Sequence, residues 1–479
     1  MSEVIALAGW PPEVIAYAMA KYSRSSMSIR ESLIKITNEM AADFLEATYV
    51  GFGHKSIADN AQIPLGVEEV SEIVSFELED EQLWNGQERS TRYQKKFDNY
   101  FVPNVVKNTP HENRFCAVAN FLLDQHKKYS LLCFEALVKK YSKPEGMKDA
   151  DYERTLRARA FDVSRYWLFN GITTSVGQIT NARTLEGQIC RMMASEYPEV
   201  VQIAEQMKKA CQEKPFCPEG KDEPPVAPTL VKYTSPNGYL IRIRDLMKKV
   251  LKDLENYMYH GAYNNWTRHA TLARPFPSIQ HEIVAGLVYE ATNMTMRDIQ
   301  SFVNRMEHSE VNRIVREVLA LRDKHDALPR AFAAGYGIQF DVCMDIGGRR
   351  DLHRHRNCIQ LHQKFSVDRG FDVPGLVKEI GMQYDYETNM KVVAKMIKQL
   401  DGLFNSGDYL IPFAFRAGTL YKMDYRQAEY MTVLRSTSQG HFSYRQIVCE
   451  MDRQLRDVVP GLEKFSRVTP LEQEDIFKR

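Results

Sequence analysis

Residues 347–362 read Gly-Gly-Arg-Arg-Asp-Leu-His-Arg-His-Arg-Asn-Cys-Ile-Gln-Leu-His, and residues 87–93 read Gln-Glu-Arg-Ser-Thr-Arg-Tyr. The first stretch carries a cationic triplet, Arg354-His355-Arg356, and guanidinium forks of this kind suit phosphate and carboxylate. The second carries a polar Ser90-Thr91-Arg92-Tyr93. The two halves of the chain rhyme around these stretches, which points to a duplication.

Outward from these stretches the halves correspond further. Gly53-His54 precedes one piece and Lys324-His325 the other. Later come Asn181-Ala182-Arg183 and Arg191 in the first half, and Asp424-Tyr425-Arg426 and Arg435 in the second. Each set is followed by an apolar stripe, Val200, Ile203 and Met207 in one case and Ile447 and Met451 in the other. Residues 213–228, EKPFCPEGKDEPPVAP, hold five prolines in sixteen residues and cannot continue a helix or a central strand. They divide the chain into residues 1–212, the linker 213–228 and residues 229–479. Helical apolar spacing covers 12–21, 28–48, 113–141, 150–170, 195–212, 240–258, 281–293, 295–323, 376–404 and 441–455, with β-rich stretches near 62–78 and 332–345. The expected fold class is α/β (α+β), a sheet flanked by helices, present twice.

With 479 residues, 63 basic against 62 acidic side chains and a hydrophobic fraction of 44%, the chain is expected to be globular and cytoplasmic, with no nucleic acid or membrane partner. The eight cysteines read as reduced thiols, since none form a Cys-x-x-Cys pair. A strand through the cationic triplet would put Arg354 and Arg356 on one face and His355 on the other. His353, His355 and His362 invite a metal reading, but no carboxylate or cysteine cluster completes a ligand set, so no metal is expected. Arg165, inside the apolar Ala160-Phe-Asp-Val-Ser-Arg-Tyr-Trp-Leu-Phe169, pairs either with Asp162 or Glu153 or with a phosphate. Asp408 stands opposite it in the second half.

The two motif pieces together resemble the flavin-dependent thymidylate synthases (the ThyX family), in which they form one continuous run, RHR-x(2)-S-x-N-x(2)-S-x-R-Y. Laid on that run, Asp80-Glu81-Gln82 takes the place of the triplet in the first half, and Lys364 and Ser366 take the places of the serine and arginine in the second. The resemblance thus implies that each half keeps what the other has lost, a duplication whose copies have divided one site. The resemblance implies an α/β subunit, four of which form the working enzyme, and FAD as cofactor. It implies methylation of dUMP with methylenetetrahydrofolate as one-carbon donor and NADPH as reductant. On that reading His54, Asn181, Arg183, Arg354, His355 and Arg356 contact the flavin. Ser90, Arg92, Arg165, Arg354 and Arg435 hold the nucleotide, and Arg92 and Ser90 serve catalysis, Ser90 by positioning. A homodimer of this two-repeat chain would reproduce the four-domain assembly. The sequence departs from the family at Asp351, where a glutamine is usual, and at Ile359 and Leu361 in place of Ser and Asn. Those departures leave two alternatives: a flavoenzyme for another pyrimidine or one-carbon donor, and a non-catalytic nucleotide-binding descendant.

Overall fold

The structure, a computed structural model, describes all residues except 1–4, 23, 24, 26, 52, 53, 91–96, 219, 256–266, 325, 401–404, 459, 460, 462–465, 474, 478 and 479. Its first repeat opens with α1 (Pro12–Tyr22), α2 (Ile29–Lys35) and α3 (Asn38–Leu45). The single helix expected over 28–48 is broken because two capping residues compete for it. Ser28 starts α2 in a reciprocal capping box with Glu31, and the Thr37 side chain accepts from Met40 N to start α3. Strand β1 (Gln62–Ser71) runs directly into α4 (Glu72–Glu79), so the β-rich reading of 62–78 holds for its first part only. Then come β2 (Asn85–Glu88), α5 (Glu112–Lys140), α6 (Asp149–Ser164), a 3-10 turn Arg165–Trp167, β3 (Thr173–Asn181), α7 (Ala182–Met193) and α8 (Pro198–Gln212).

The second repeat follows the same order. After α9 (Gly238–Leu254) and β4 (His269–Leu272) stand α10 (Ile279–Ala291), α11 (Met296–Val303) and α12 (His308–Ala320). The expected helix 295–323 is thus two helices. Next are β5 (Ile338–Asp345), α13 (Ile346–His353), β6 (Ile359–His362), α14 (Gly375–Glu379), α15 (Gln383–Lys398), a 3-10 turn Ser406–Leu410, β7 (Arg416–Met423), α16 (Tyr425–Ser436) and α17 (Phe442–Val458). One sheet has the order β1-β3-β2 and the other β4-β5-β7-β6, so the second repeats the first and adds β4 at its edge. The registers agree as well. Asn85 pairs Ile179 and Glu88 pairs Val176, while Ile359 pairs Lys422 and His362 pairs Thr419. The chain is an α+β protein made of two tandem repeats.

Compact units do not follow the proline-rich stretch. Met1–Val70, Val74–Arg89 and Thr174–Gly238 form one unit. Ser71–Ile73, Ser90–Thr173 and Tyr239–Arg479 form the other. The helical middle of the first repeat, α5 and α6, therefore packs in the unit that holds most of the second.

In the first unit, Val14, Ala18, Leu33, Ile36 and Ala41 make a small core beneath α1. Buried Glu13 accepts from Thr229 N and Leu230 N at 2.8 Å each, which fixes the chain just beyond the proline-rich stretch.

In the second unit helices cover both faces of the sheet, so all eight residues of β5 are buried. Ile338, Phe340, Val342 and Met344 pack with Ile447, Val448 and Met451 of α17. Leu361 and Leu420 pack on the other face with Val284 and Val288 of α10. Each such fully buried aliphatic side chain contributes about 1.5–3 kcal/mol.

The two repeats also meet inside this unit through matching segments. Asn170 N donates to Ile411 O (3.1 Å) and Phe413 N donates to Leu168 O (2.7 Å), on either side of a Phe169–Pro412 bridge. Both segments follow the 3-10 turn of their repeat, so the contact is a local two-fold between equivalent stretches. No described helix is long and apolar enough to cross a membrane.

Candidate functional site

The cationic triplet is not a strand. It follows α13, with Arg354 as the C-cap in helical conformation, and turns toward β6. Asp345 sets the start of that helix: Oδ1 accepts from Gly348 N (2.7 Å) and Oδ2 from Arg268 Nη2 (2.9 Å). Ile346 N and Gly347 N reach Phe415 O and Phe413 O, so the first turn is tied to the neighbouring segment. The far end is fixed by its own turn. Cys358 Sγ donates to His355 O (2.8 Å), and Gln360 Nε2 donates to His355 O (2.9 Å) and His353 O (3.1 Å). Burial pushes the Cys358 thiol up to about 12, so it acts here as a neutral donor, not as a thiolate nucleophile.

His355 is buried between exposed Arg354 and half-buried Arg356. Its Nε2 accepts from Arg435 Nε at 2.8 Å, Nδ1 faces the Gln427 amide at 3.4 Å, and the ring lies edge-on to Tyr430. An arginine always donates, so the ring accepts at Nε2 and is neutral. Burial, then the charges of Arg435 and Arg356, push its pKa down to about 3. His355 thereby aims Arg435, in the last turn of α16, whose guanidinium also lies over the Tyr444 ring. Among the described residues the two terminal nitrogens of Arg435 have no hydrogen-bond partner.

The low pKa of His355 has a consequence for stability. Below the ordinary histidine value the unfolded chain takes up a proton that the folded chain refuses. Its contribution is therefore complete above about pH 6.5 and is lost as pH falls toward 3. Urea unfolding at pH 7 and pH 5 should show a smaller loss of stability on acidification for His355→Gln than for the parent. Equal losses would place the His355 pKa near its ordinary value.

Arg165 is buried, and the intrahelical pairings expected for it are not formed. Glu153 binds Arg157, and Asp162 lies 4.0 Å from Arg159. Arg165 begins the 3-10 turn after α6, and its Nη2 lies 3.4 Å from Asp351 Oδ2 on α13. Its Nε has no hydrogen-bond partner among the described residues. Thus Arg165 and Ser90 from the first repeat belong to the same compact unit as Arg354, His355, Arg356 and Arg435 from the second. Thr91, Arg92 and Tyr93 lie outside the described residues, as does His325.

The remaining expected flavin contacts lie in the other unit. His54 is the exposed N-terminal neighbour of a 3-10 turn Lys55–Asn60. Asn181 caps α7, its Oδ1 accepting from Thr184 N (2.8 Å), which leaves Nδ2 as a donor. Arg183 is exposed and pairs with Asp59 at 3.3 Å. Of the histidines read as metal candidates, His353 Nδ1 contacts Gln360 Oε1 (3.0 Å) and His362 Nδ1 contacts Thr419 Oγ1 (3.2 Å), and the two rings stand edge to face with centroids 5.0 Å apart.

Sequence reasoning missed Asp351 as the partner of Arg165, and Gln427 and Tyr430 as neighbours of His355. Asp424 caps α16, its Oδ1 accepting from Gln427 N (2.8 Å), but such a cap says nothing about where the Gln427 side chain points.

Residues 5–219 match the family model described as thymidylate synthase complementing protein. A UPF0159 protein of Chlamydia pneumoniae is 23% identical over 509 residues, covering 99% of this chain and 93% of that protein. UPF0159 protein Ta1429 of Thermoplasma acidophilum is 24% identical over 483 residues, covering 93% of each. Among solved structures, flavin dependent thymidylate synthase ThyX from Helicobacter pylori, complexed with FAD and dUMP, aligns at 12% identity. That alignment covers 42% of this chain and 89% of that one with a TM-score of 0.25, too low to bear on the fold.

Proposed function

We propose that this chain, which carries a thymidylate synthase complementing protein domain over residues 5–219, is an FAD-dependent thymidylate synthase whose nucleotide site is composed from both repeats. The observation that carries the reading is the complementary loss of motifs, joined to one fact of the fold. Ser90 and Arg165 of the first repeat share a compact unit with the Arg-His-Arg triplet and Arg435 of the second.

The residues suit the ligands. Arg435 offers two uncommitted terminal nitrogens to a nucleotide phosphate, and neutral His355 holds it by Nε. Arg354 and Arg356 would hold the anionic part of FAD; Asn181, with Nδ2 left to donate, His54 and Arg183 are flavin contacts on the same reading. Ser90 and Arg165 would orient the pyrimidine and its phosphate. Transfer of a methylene from methylenetetrahydrofolate to C5 of dUMP builds negative charge on the ring, and Arg92 would stabilise it without titrating. Bound reduced flavin supplies the hydride that completes the methyl group, and NADPH would restore it. Burial leaves the Cys358 thiol protonated, so the reading assigns it no nucleophilic role.

The test begins with colour. Purified protein should be yellow or take up added FAD, and should convert dUMP, methylenetetrahydrofolate and NADPH to dTMP. Protein that binds no FAD would leave the non-catalytic reading, and flavin binding with a different product would favour another pyrimidine or one-carbon donor. Arg354→Ala and Arg356→Ala should each weaken FAD or dUMP binding about ten- to a hundredfold, the effect of one charge-assisted contact. Unchanged affinities in both variants would make the triplet a surface charge run.

Asp351 makes a finer distinction. It neutralises Arg165 from within the chain, so a phosphate reaching Arg165 must displace a carboxylate. Asp351→Gln restores the residue usual in the family and should tighten dUMP about two- to fivefold, the worth of a modest ion pair. Weaker binding in that variant would show that Asp351 itself holds the nucleotide.

A further inference from the structure

The two repeats place an arginine from the helix after their third common strand against the turn that follows the helix after the first. In the second repeat this is Arg435 against His355, Nε to Nε2, at 2.8 Å. In the first it is Arg191, in the last turn of α7, against Glu81, Nε to Oε1, at 3.0 Å. The strand registers make these turns equivalent. Asn85–Glu88 matches Ile359–His362, α4 ends at Glu79 as α13 ends at His353, and Asp80-Glu81-Gln82 then falls on Arg354-His355-Arg356. A neutral base has been replaced by an acid at the same contact.

The replacement goes beyond one residue. Arg191 Nη1 pairs with the Glu77 carboxylate and lies 4.0 Å from Asp80 Oδ2, and Nη2 donates to Glu77 O at 2.6 Å. Every nitrogen of this guanidinium is therefore engaged by the chain. The fork that would grip a phosphate is filled, and a dianion brought to it would meet three carboxylates. Arg435 differs on each point: its contact is uncharged and its terminal nitrogens have no partner among the described residues.

We propose that of the two equivalent arginine sites only the one at Arg435 is open to a phosphate, and that the corresponding site of the first repeat is closed by Glu77 and Glu81 acting as a built-in substitute for the phosphate. The assignment of the open site rests on the reading above, whereas the closure at Arg191 stands on the first repeat alone. Duplication has thus produced a protein with half the sites its repeat number allows. The acidic residues are what make the site of the first repeat silent.

Titration of the full chain with inorganic phosphate, followed by phosphorus NMR, tests this. The parent should bind one phosphate per chain, and Arg435→Ala none. Adding Glu77→Gln and Glu81→His to Arg435→Ala should restore one phosphate per chain, and adding Arg191→Ala should remove it again. The milder Glu81→Gln, on the same Arg435→Ala background, should restore weaker binding if the double replacement does not fold. Circular dichroism and thermal melting establish folding for every variant. Two phosphates per parent chain, one of them lost on Arg191→Ala, would overturn the closure. So would folded opened variants that bind none. A parent that binds no phosphate, with opened variants that bind one through Arg191, would instead refute the site at Arg435 and leave the closure standing.

Discussion

Replacing Arg92 by alanine is expected to lower the turnover of dUMP by about two to three orders of magnitude, the usual effect of removing one group that stabilises developing charge. The dUMP dissociation constant should move by less than about threefold, since the ground-state pyrimidine is neutral and gains little from the cation. A guanidinium is suited to this task because it stays charged at any working pH. Arg92→Lys should recover only part of the lost rate, because an ammonium is a point charge without the planar fork. Single-turnover kinetics with prebound dUMP and methylenetetrahydrofolate, beside calorimetric binding, separate the two quantities. Equal losses in turnover and affinity would turn Arg92 into an ordinary binding residue, and an undiminished rate would remove it from the site.

The repeat was legible because it is written in residues whose loss is visible: arginines, a serine and a histidine at fixed places. The helices were legible where apolar spacing ran uninterrupted, as in α5, α8 and α17. They were misjudged where the run is cut, by the Thr37 cap in one case and by a backbone turn at Asn304 and Arg305 between α11 and α12 in the other. The helix α13 was invisible because Ile346-Gly-Gly-Arg-Arg-Asp-Leu-His353 has two glycines and little amphipathic pattern. It is held by the Asp345 cap and by backbone bonds from Ile346 and Gly347 to the 413–415 segment, which no local pattern announces. Hence nothing local announced that the cationic triplet begins at a helix end, with Arg354 as its C-cap. The Arg165–Asp351 pair joins residues far apart in sequence, so the local candidates Glu153 and Asp162 were the natural guesses and both proved committed elsewhere. The compact units were hidden for the same reason: the proline-rich stretch marks a break in local structure, while α5 and α6 are assigned by packing.

Arg435→Ala should show the opposite signature to Arg92→Ala. Its proposed partner, a phosphate, carries charge throughout the reaction, so the loss should fall on binding: about ten- to a hundredfold in dUMP affinity, with turnover at saturation changed by less than about threefold. The contact with His355 sharpens the test, because His355 positions Arg435 without touching the nucleotide in this reading. His355→Gln keeps a side chain able to accept from Nε and should cost less affinity than His355→Ala; equal losses would mean that the imidazole has another role.

The two arginines then decide where the site is assembled. Ser90, two residues before Arg92, and Arg435 belong to one compact unit of a single chain. Mixing the Arg92→Ala and Arg435→Ala proteins should accordingly restore no activity, since every chain would still lack one of the pair. Recovery of a substantial fraction of activity on mixing would show that the S-x-R-Y stretch of one chain serves Arg435 of another. A nucleotide-bound structure with Arg92 and Arg435 on different ligands would end the composite site altogether.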